Sequence, residues 1–155
     1  MPNQNKAKGT AAETAVVNWL RTDCGFEDAR RNTLGGRFDP GDVEPVPANL
    51  PPVIISVKDG KEGDYCSHCR QRRELHPQTA LFTEWWADLT STIKRRSPLA
   101  LPLLVHKRAG KASPEGWKWY ADSGLLGRYR MGPIAITGPQ ARFIMQRHIA
   151  RWESK

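Results

Sequence analysis

The run Val53–Lys58 constrains this chain most, because it is apolar, rich in β-branched residues and ends in a lysine. Such a run predicts a central β-strand. Side chains alternate along a strand, so Ser56 and Lys58 share one face while Val57 points to the other. Asp42 follows a Pro-Gly turn fourteen residues before Ser56. We expect the face that carries Ser56 and Lys58 to look toward Asp42.

The bulk composition predicts a single domain with an anionic partner. The chain has 155 residues, of which 39% are hydrophobic, enough for a core of its own. No apolar run is long enough to span a bilayer, and the first 30 residues lack a secretory core, so we expect a cytoplasmic protein that does not contact a membrane. The net charge of +8 favours nucleic acid as the partner. We expect residues 1–9 to form a basic arm and residues 10–155 a single domain.

The basic residues are concentrated in three clusters, at 70–73, 94–96 and 107–111. Clusters of this kind are typical of surfaces that contact phosphates. Besides the clusters, isolated arginines and lysines flank the turn before Asp42 and the first helix. The candidate DNA contacts are Lys6, Lys8, Arg30, Arg31, Arg37, Arg70, Arg72, Arg73, Lys107, Arg108 and Lys111.

Hydrophobic periodicity and turn residues predict an alternation of helices and strands. Helices are predicted from Thr10 to about Cys24, from Pro77 to about Arg96, and from Gly138 onward. Strands are predicted at 26–32, 43–46, 53–58, 99–105, 117–120 and 133–137, with 117–120 at an edge of the sheet. This order predicts an α/β fold with its strongest strand at 53–58.

Asp42 and Lys58 are the residues best suited to phosphodiester chemistry. A hard cation held by carboxylates polarises the phosphate and activates water, and a nearby lysine stabilises the added negative charge. Glu13 could supply a second carboxylate. A structural alternative exists for each residue: Thr10 and Glu13 match a capping box, Asp42 could be a turn residue, and Lys58 could extend to solvent. For Glu13 taken alone, the capping box is favoured.

The order of several short motifs resembles a known family. These motifs are Lys8-Gly9-x-x-x-Glu13, Gly25-Phe26, Arg30-Arg31, Gly41-Asp42-Val43, the strand ending in Lys58, and Val105-His106-Lys107-Arg108-x-Gly110-Lys111-x-Ser113-Pro114. Together they resemble the archaeal-type Holliday junction resolvase branch of the PD-(D/E)XK nucleases, especially the short versions in actinobacteria and their phages. The resemblance covers most of residues 6–121.

The resemblance implies a restriction-endonuclease-like αβββαβ core, with a mixed central sheet flanked by helices. It also implies a homodimer that cuts branched DNA with Mg²⁺ or Mn²⁺. By position, Glu13, Asp42 and the backbone carbonyl of Val57 would hold the metal, and Lys58 would be the catalytic lysine. Lys8, Arg30 and Arg31 would face phosphates.

The chain departs from the family pattern at Ser56, where the family has the glutamate of Glu-x-Lys. A neutral hydroxyl is a poor replacement for a charged metal ligand. Asp59 lies on the wrong face by strand parity, whereas Glu13 or Asp39 could compensate. Either the catalytic site works with weaker metal affinity, which we favour, or the protein binds branched DNA without cutting it well. A related nuclease acting on other DNA structures is a further alternative.

The segment 59–76 is polar and contains Cys66-x-x-Cys69. The two thiolates with His76, and with His68 or Cys24 as a fourth ligand, would make a structural zinc site. One Cys-x-x-Cys pair is a weak basis for four ligands, so a metal-free polar loop is favoured over zinc.

Overall fold

The computed structural model describes residues 4–32, 42–59, 78–108, 110–122 and 133–155, and within these the side chains of residues 4–6 and 78–81 are excepted. The helices are α1 (Gln4–Thr22), α2 (Gln78–Arg96) and α3 (Gly138–Glu153), with a short 3-10 helix at Pro114–Gly116. The strands are β1 (Arg30–Arg31), β2 (Val43–Glu44), β3 (Val53–Lys58), β4 (Leu101–His106), β5 (Lys118–Asp122) and β6 (Pro133–Ile136).

The described strands form one six-stranded sheet in chain order, from β1 to β6. Neighbouring strands are antiparallel except β3 and β4, which are parallel and pair Lys58 with His106 at their carboxyl ends. Helix α2 connects these two strands, as a parallel crossover requires. The predicted α/β class with a mixed sheet flanked by helices is therefore confirmed.

The helices cover opposite faces of the sheet. Ile55, Leu103 and Trp119 lie in the larger core together with residues of α1 and α3. Ile54 and Leu104, one position away, lie in a second core with residues of α2. Strand parity then fixes the direction of Ser56 and Lys58, which face the α2 side.

The central strand and the second helix are confirmed, but three local predictions are wrong: the start of the first helix, the length of the first strand and the edge position of β5. Helix α1 begins at Gln4, so Thr10 and Glu13 are interior residues and the predicted capping box does not form. Thr10 instead accepts a bond at its backbone carbonyl from the Thr14 hydroxyl, 2.8 Å away. Ala7, Lys8 and Ala11 are good helix formers, and they favour a helix that extends back to the polar residues at Gln4 and Asn5.

Strand β5 is not an edge strand, because β6 pairs along its outer side. The polar residues that alternate along β5 indicated exposure, yet Trp119 and Ala121 are buried under α3. The strand predicted at 26–32 comprises only Arg30–Arg31. The residues before it form a turn, in which the Ala29 N–H donates to the Phe26 carbonyl at 3.1 Å.

The described helices include none with the length and apolar character needed to cross a membrane.

Candidate functional site

Asp42 is fixed against β3 by two hydrogen bonds to one carboxylate oxygen. Its Oδ2 accepts the backbone N–H of Val57 at 2.6 Å and the Ser56 hydroxyl at 3.2 Å. The backbone N–H of Asp42 donates to the Ile55 carbonyl at 3.2 Å, which fixes the position of Asp42 along β3. The two predicted catalytic positions, Asp42 and Ser56, are thus in direct contact.

Val57 turns its polar backbone toward Asp42. Within a strand, the N–H and C=O of one residue lie on the same edge. Since the Val57 N–H meets Asp42, its carbonyl lies on the β2 edge of β3 as well, whereas the Lys58 carbonyl faces β4 and accepts from Lys107 at 2.9 Å. The predicted backbone ligand and the predicted acidic ligand therefore share one edge of β3.

Lys58 stands on the same face as Ser56, against an aromatic side chain of α2. Its ammonium lies 5.9 Å from the ring centroid of Trp85, within the range of a cation–π interaction. The Trp85 ring in turn lies 5.5 Å from the ring of His106, the residue paired with Lys58 in the parallel ladder. The half-buried Trp85 therefore limits the positions available to the lysine.

Glu13 lies elsewhere, in an ion pair with Arg31. Arg31 Nε donates to Glu13 Oε2 at 2.8 Å, and the Arg31 guanidinium also reaches the Thr10 hydroxyl at 3.4 Å. By register, Arg31 shares its face with Val43, which packs in the core beneath α1. Glu13 is therefore on the α1 side of the sheet, whereas Asp42 and Ser56 are on the α2 side.

A carboxylate that the sequence analysis missed lies beside this site. Glu44 is fully buried on β2, and a salt bridge joins its Oε1 to Arg96 at the end of α2. Asn32 Nδ2 donates to the same oxygen at 3.0 Å, and Arg30 Nη2 lies 3.7 Å from the other oxygen. Glu44 lies inside the short strand predicted at 43–46 and precedes a proline, and a charged residue in so short a strand gave no signal of its burial.

The basic segment after β4 is held in place by two tryptophans. The indole N–H of Trp117 donates to the Lys111 carbonyl, and that of Trp119 donates to the Pro114 carbonyl, each at 2.8 Å. Lys107 lies 6.0 Å above the Trp117 ring and 3.5 Å from the carboxylate of Asp59. This segment begins at the carboxyl end of β4, next to Lys58, so its cations lie at the same end of the sheet as the candidate site.

Asp59 forms an ion pair with Lys107. This contact agrees with the prediction from strand parity that Asp59 lies on the face opposite to Ser56 and Lys58. Lys8 lies exposed on α1. Several predicted site residues fall outside the described part of the chain: Lys6 for its side chain, and Arg37, Asp39, Cys66, His68, Cys69, Arg70, Arg72, Arg73 and His76 entirely.

A surface groove of about 470 Å³ occurs at a distance from these residues, between the end of α1, the segment after β2 and α3. Its lining includes Cys24, which is buried, and burial raises the pKa of that thiol to about 12. At neutral pH the thiol is protonated and therefore a poor nucleophile. The Cys24 thiol therefore does not supply this groove with an activated nucleophile.

In the described part of the chain, the candidate metal donors at Asp42 are oxygens, the type that Mg²⁺ prefers. They are the Asp42 carboxylate, the Ser56 hydroxyl and the Val57 carbonyl. Among the residues that the structure describes, no cluster of three or more histidine, cysteine, aspartate or glutamate side chains is arranged to hold a metal. Mg²⁺ is often bound through one or two carboxylates together with waters and substrate phosphates, so the donor set fits a cation held weakly until DNA is present.

Comparison with known proteins adds no relative: no family model, no curated protein and no solved structure matches this chain.

Proposed function

We propose that this chain is a metal-dependent endonuclease that cuts branched DNA. Its catalytic site carries less negative charge than a site with two carboxylates. The observation that carries the proposal is the contact of Asp42 with Ser56 and Val57, on the face of β3 that also bears Lys58. A carboxylate, a backbone carbonyl and a lysine around the end of one central strand are the groups that phosphodiester hydrolysis requires.

The order of elements supports the same assignment. The helix, three strands, helix and strand from α1 to β4 follow the αβββαβ order of the restriction-endonuclease-like core that the sequence resemblance implies. The antiparallel β2–β3 pair followed by the parallel β3–β4 pair brings the carboxyl ends of β3 and β4 together. Lys58 and the basic segment from Lys107 thereby lie at one end of the sheet.

In this proposal, Mg²⁺ or Mn²⁺ held at the site would polarise the scissile phosphate and lower the pKa of a bound water. Asp42, the Val57 carbonyl and the Ser56 hydroxyl are the groups that would hold it. The hydrogen bonds from Val57 and Ser56 orient the Asp42 carboxylate before DNA arrives. Lys58 stabilises the negative charge that accumulates on the scissile phosphate, and Trp85 keeps its ammonium near the strand end.

The substrate class follows from charge and from the resemblance. The net charge of +8 and the cations of Lys107, Arg108 and Lys111 suit a polyanion, and the resemblance points to four-way junctions. A homodimer would suit such a substrate, because a two-fold axis presents two equivalent sites to opposed strands.

A second candidate function is binding of branched DNA without cleavage. One observation favours it: Asp42 Oδ2 already accepts two hydrogen bonds, and its nearest side-chain neighbour on β3 is neutral Ser56 rather than a second carboxylate. A site of this kind attracts a cation less strongly than a pair of carboxylates does.

Substitutions that remove one charge without changing shape separate the two functions. The nuclease proposal predicts that Asp42→Asn and Lys58→Met abolish Mg²⁺-dependent cutting of a four-way junction while the affinity for the junction stays within a few-fold of the wild type. Asp28→Asn removes an exposed carboxylate before β1 and serves as the control, with full activity expected.

Cutting that survives Asp42→Asn and Lys58→Met would contradict the proposed site, and binding by the wild type without cutting under any divalent cation would favour the second function. Linear duplex of equal length, run in parallel, tests the substrate class: equal cutting of both DNAs would argue against a preference for branches.

A further inference from the structure

Two arginines and a buried glutamate form a cluster next to the candidate site. Glu44 is fully buried, and a buried carboxylate requires compensation by charge or hydrogen bonds. The salt bridge with Arg96 and the bond from Asn32 compensate it at Oε1. The cluster also contains a second guanidinium, that of Arg30.

Arg30 forms an ion pair with Glu44 but does not hydrogen-bond to it. Its Nη2 lies 3.7 Å from Glu44 Oε2, beyond hydrogen-bond length, and that oxygen has no hydrogen-bond partner among the residues that the structure describes. The Arg30 side chain is 56% exposed, while that of Arg96 keeps 24% of its surface exposed. Arg96 therefore compensates the buried carboxylate, and Arg30 lies beside that carboxylate with more than half of its side chain exposed.

The cluster lies on the face of the sheet that carries Asp42. Glu44 lies on β2, two residues after Asp42 in the chain. It is paired with Arg30 across the β1–β2 ladder. Two residues of a strand span roughly 7 Å. A single DNA strand that reaches Asp42 and Lys58 could therefore also reach the exposed guanidinium of Arg30.

We propose that Arg30 and Arg96, positioned by buried Glu44, form a binding site for a DNA backbone phosphate beside the scissile one. Arg30 was a sequence candidate for DNA contact and Arg96 belongs to the basic cluster at 94–96, whereas Glu44 enters through the geometry alone. Guanidinium groups bind phosphate through several N–H donors, and Glu44 fixes their orientation before binding, which lowers the entropy cost. The inference rests on the proposed function in taking DNA as the ligand, but it requires no cleavage.

The test is the affinity of the full chain for a labelled four-way junction in EDTA, measured over a series of salt concentrations. Arg96→Gln is expected to lower the affinity roughly tenfold and to reduce the slope of log affinity against log salt by about one. Arg95→Gln, an exposed neighbour on the last turn of α2, is the matched control and should show a smaller loss than Arg96→Gln.

A double variant separates phosphate binding from a structural role. Arg96→Gln alone leaves Glu44 uncompensated and is expected to lower the melting temperature, whereas Glu44→Gln with Arg96→Gln replaces the ion pair by two neutral amides and restores stability. The proposal predicts that affinity and salt slope stay reduced in this stable double variant. Recovery of wild-type affinity and slope would overturn it, as would equal losses in Arg95→Gln and Arg96→Gln.

These outcomes are independent of those for the proposed function. A wild type that binds the junction with the expected Arg96 dependence but never cuts it would leave this phosphate site in place and remove the nuclease. A wild type that cuts, with unchanged binding in Arg96→Gln, would do the reverse.

Discussion

At the scale of single residues, Ser56 decides how the site works. Its hydroxyl donates to Asp42 in a position where the family that the sequence resembles has a carboxylate. The exchange lowers the negative charge of the site by one and removes a repulsion that Asp42 would otherwise experience. Under the proposed function, a site built this way would be stable without a cation and would bind one weakly.

Ser56→Glu is therefore expected to convert the site into a tighter metal site. The Mg²⁺ concentration that gives half-maximal cleavage should fall about tenfold, because a second carboxylate is added to the donor set. In EDTA the same variant should melt at a lower temperature than the wild type, since two carboxylates then repel each other, and added Mg²⁺ should remove this difference.

Ser56→Ala is the control for the loss of the hydroxyl. It removes one hydrogen bond to Asp42, worth about 1 kcal/mol, and adds no charge. If Ser56→Glu and Ser56→Ala had the same Mg²⁺ dependence, the position would not take part in metal binding.

Trp85 is expected to position Lys58. Trp85→Leu removes the aromatic face near the ammonium and should lower kcat several-fold, corresponding to about 1 kcal/mol, with little change in DNA affinity. Trp85→Phe keeps an aromatic face and should lose less. Trp86→Leu removes the neighbouring indole, which stacks on Phe82 instead, and should leave kcat near the wild-type value.

Single-turnover cleavage and junction binding measure these two quantities separately. Equal losses in Trp85→Leu and Trp85→Phe would show that the aromatic face has no part in placing the lysine.

At the scale of elements, the short 3-10 helix and α3 are joined by an exceptionally close contact at Gly138. A Cβ added to Gly138 would lie 2.6 Å from the Cα of Glu115 and would also overlap the Glu115 carbonyl group. Both partners are backbone, so the overlap can be relieved only by moving α3 or the segment that follows the basic loop. This contact couples the last helix to the segment that ends in the two indole-bonded tryptophans.

Gly138→Ala is thus expected to destabilise the fold by about 1–3 kcal/mol, the usual range for overpacking. Gly9→Ala is a matched substitution in α1, where the added Cβ meets nothing within 4 Å. Alanine is the better helix former, so Gly9→Ala should stabilise by roughly 0.5–1 kcal/mol. Denaturant unfolding measures both, and a Gly138→Ala protein as stable as the wild type would contradict the close contact.

The elements that periodicity alone defines were predicted well. Val53–Lys58 and the helix through Trp85 and Trp86 have strong patterns, and the structure confirms both. The face shared by Ser56 and Lys58 also followed from strand parity. Predictions failed where a distant partner decides the outcome: β5 became internal because β6 pairs with it, and Glu44 is buried because Arg96 reaches it. Such long-range pairings leave no local signal.

At the scale of the whole molecule, the two ends of the sheet differ in character. Asp42, Lys58 and the basic segment lie near the carboxyl ends of β3 and β4. Near the opposite ends, His148 of α3 contacts the backbone at Pro52 and Leu99. Burial lowers the pKa of His148, Arg151 and Lys155 act in the same direction, and the backbone hydrogen bonds oppose them.

His148 is expected to make stability depend on pH. A histidine whose pKa is lower in the folded state stabilises the fold above its unfolded pKa of 6.5, and this contribution is lost as the pH falls below that value. The melting temperature of the wild type should therefore drop more between pH 7.5 and pH 5 than that of His148→Gln. Parallel curves for the two proteins would show that His148 does not contribute.

The central claim is that a site with one carboxylate at Asp42 hydrolyses branched DNA. The most direct measurement is cleavage of an immobile four-way junction by the wild type and by Asp42→Asn over a wide range of Mg²⁺ and Mn²⁺ concentrations. We expect the wild type to cut only at high concentrations of either cation and Asp42→Asn to leave the junction intact. A wild type that binds the junction but yields no product at any concentration, or an Asp42→Asn variant that cuts as fast, would contradict the claim.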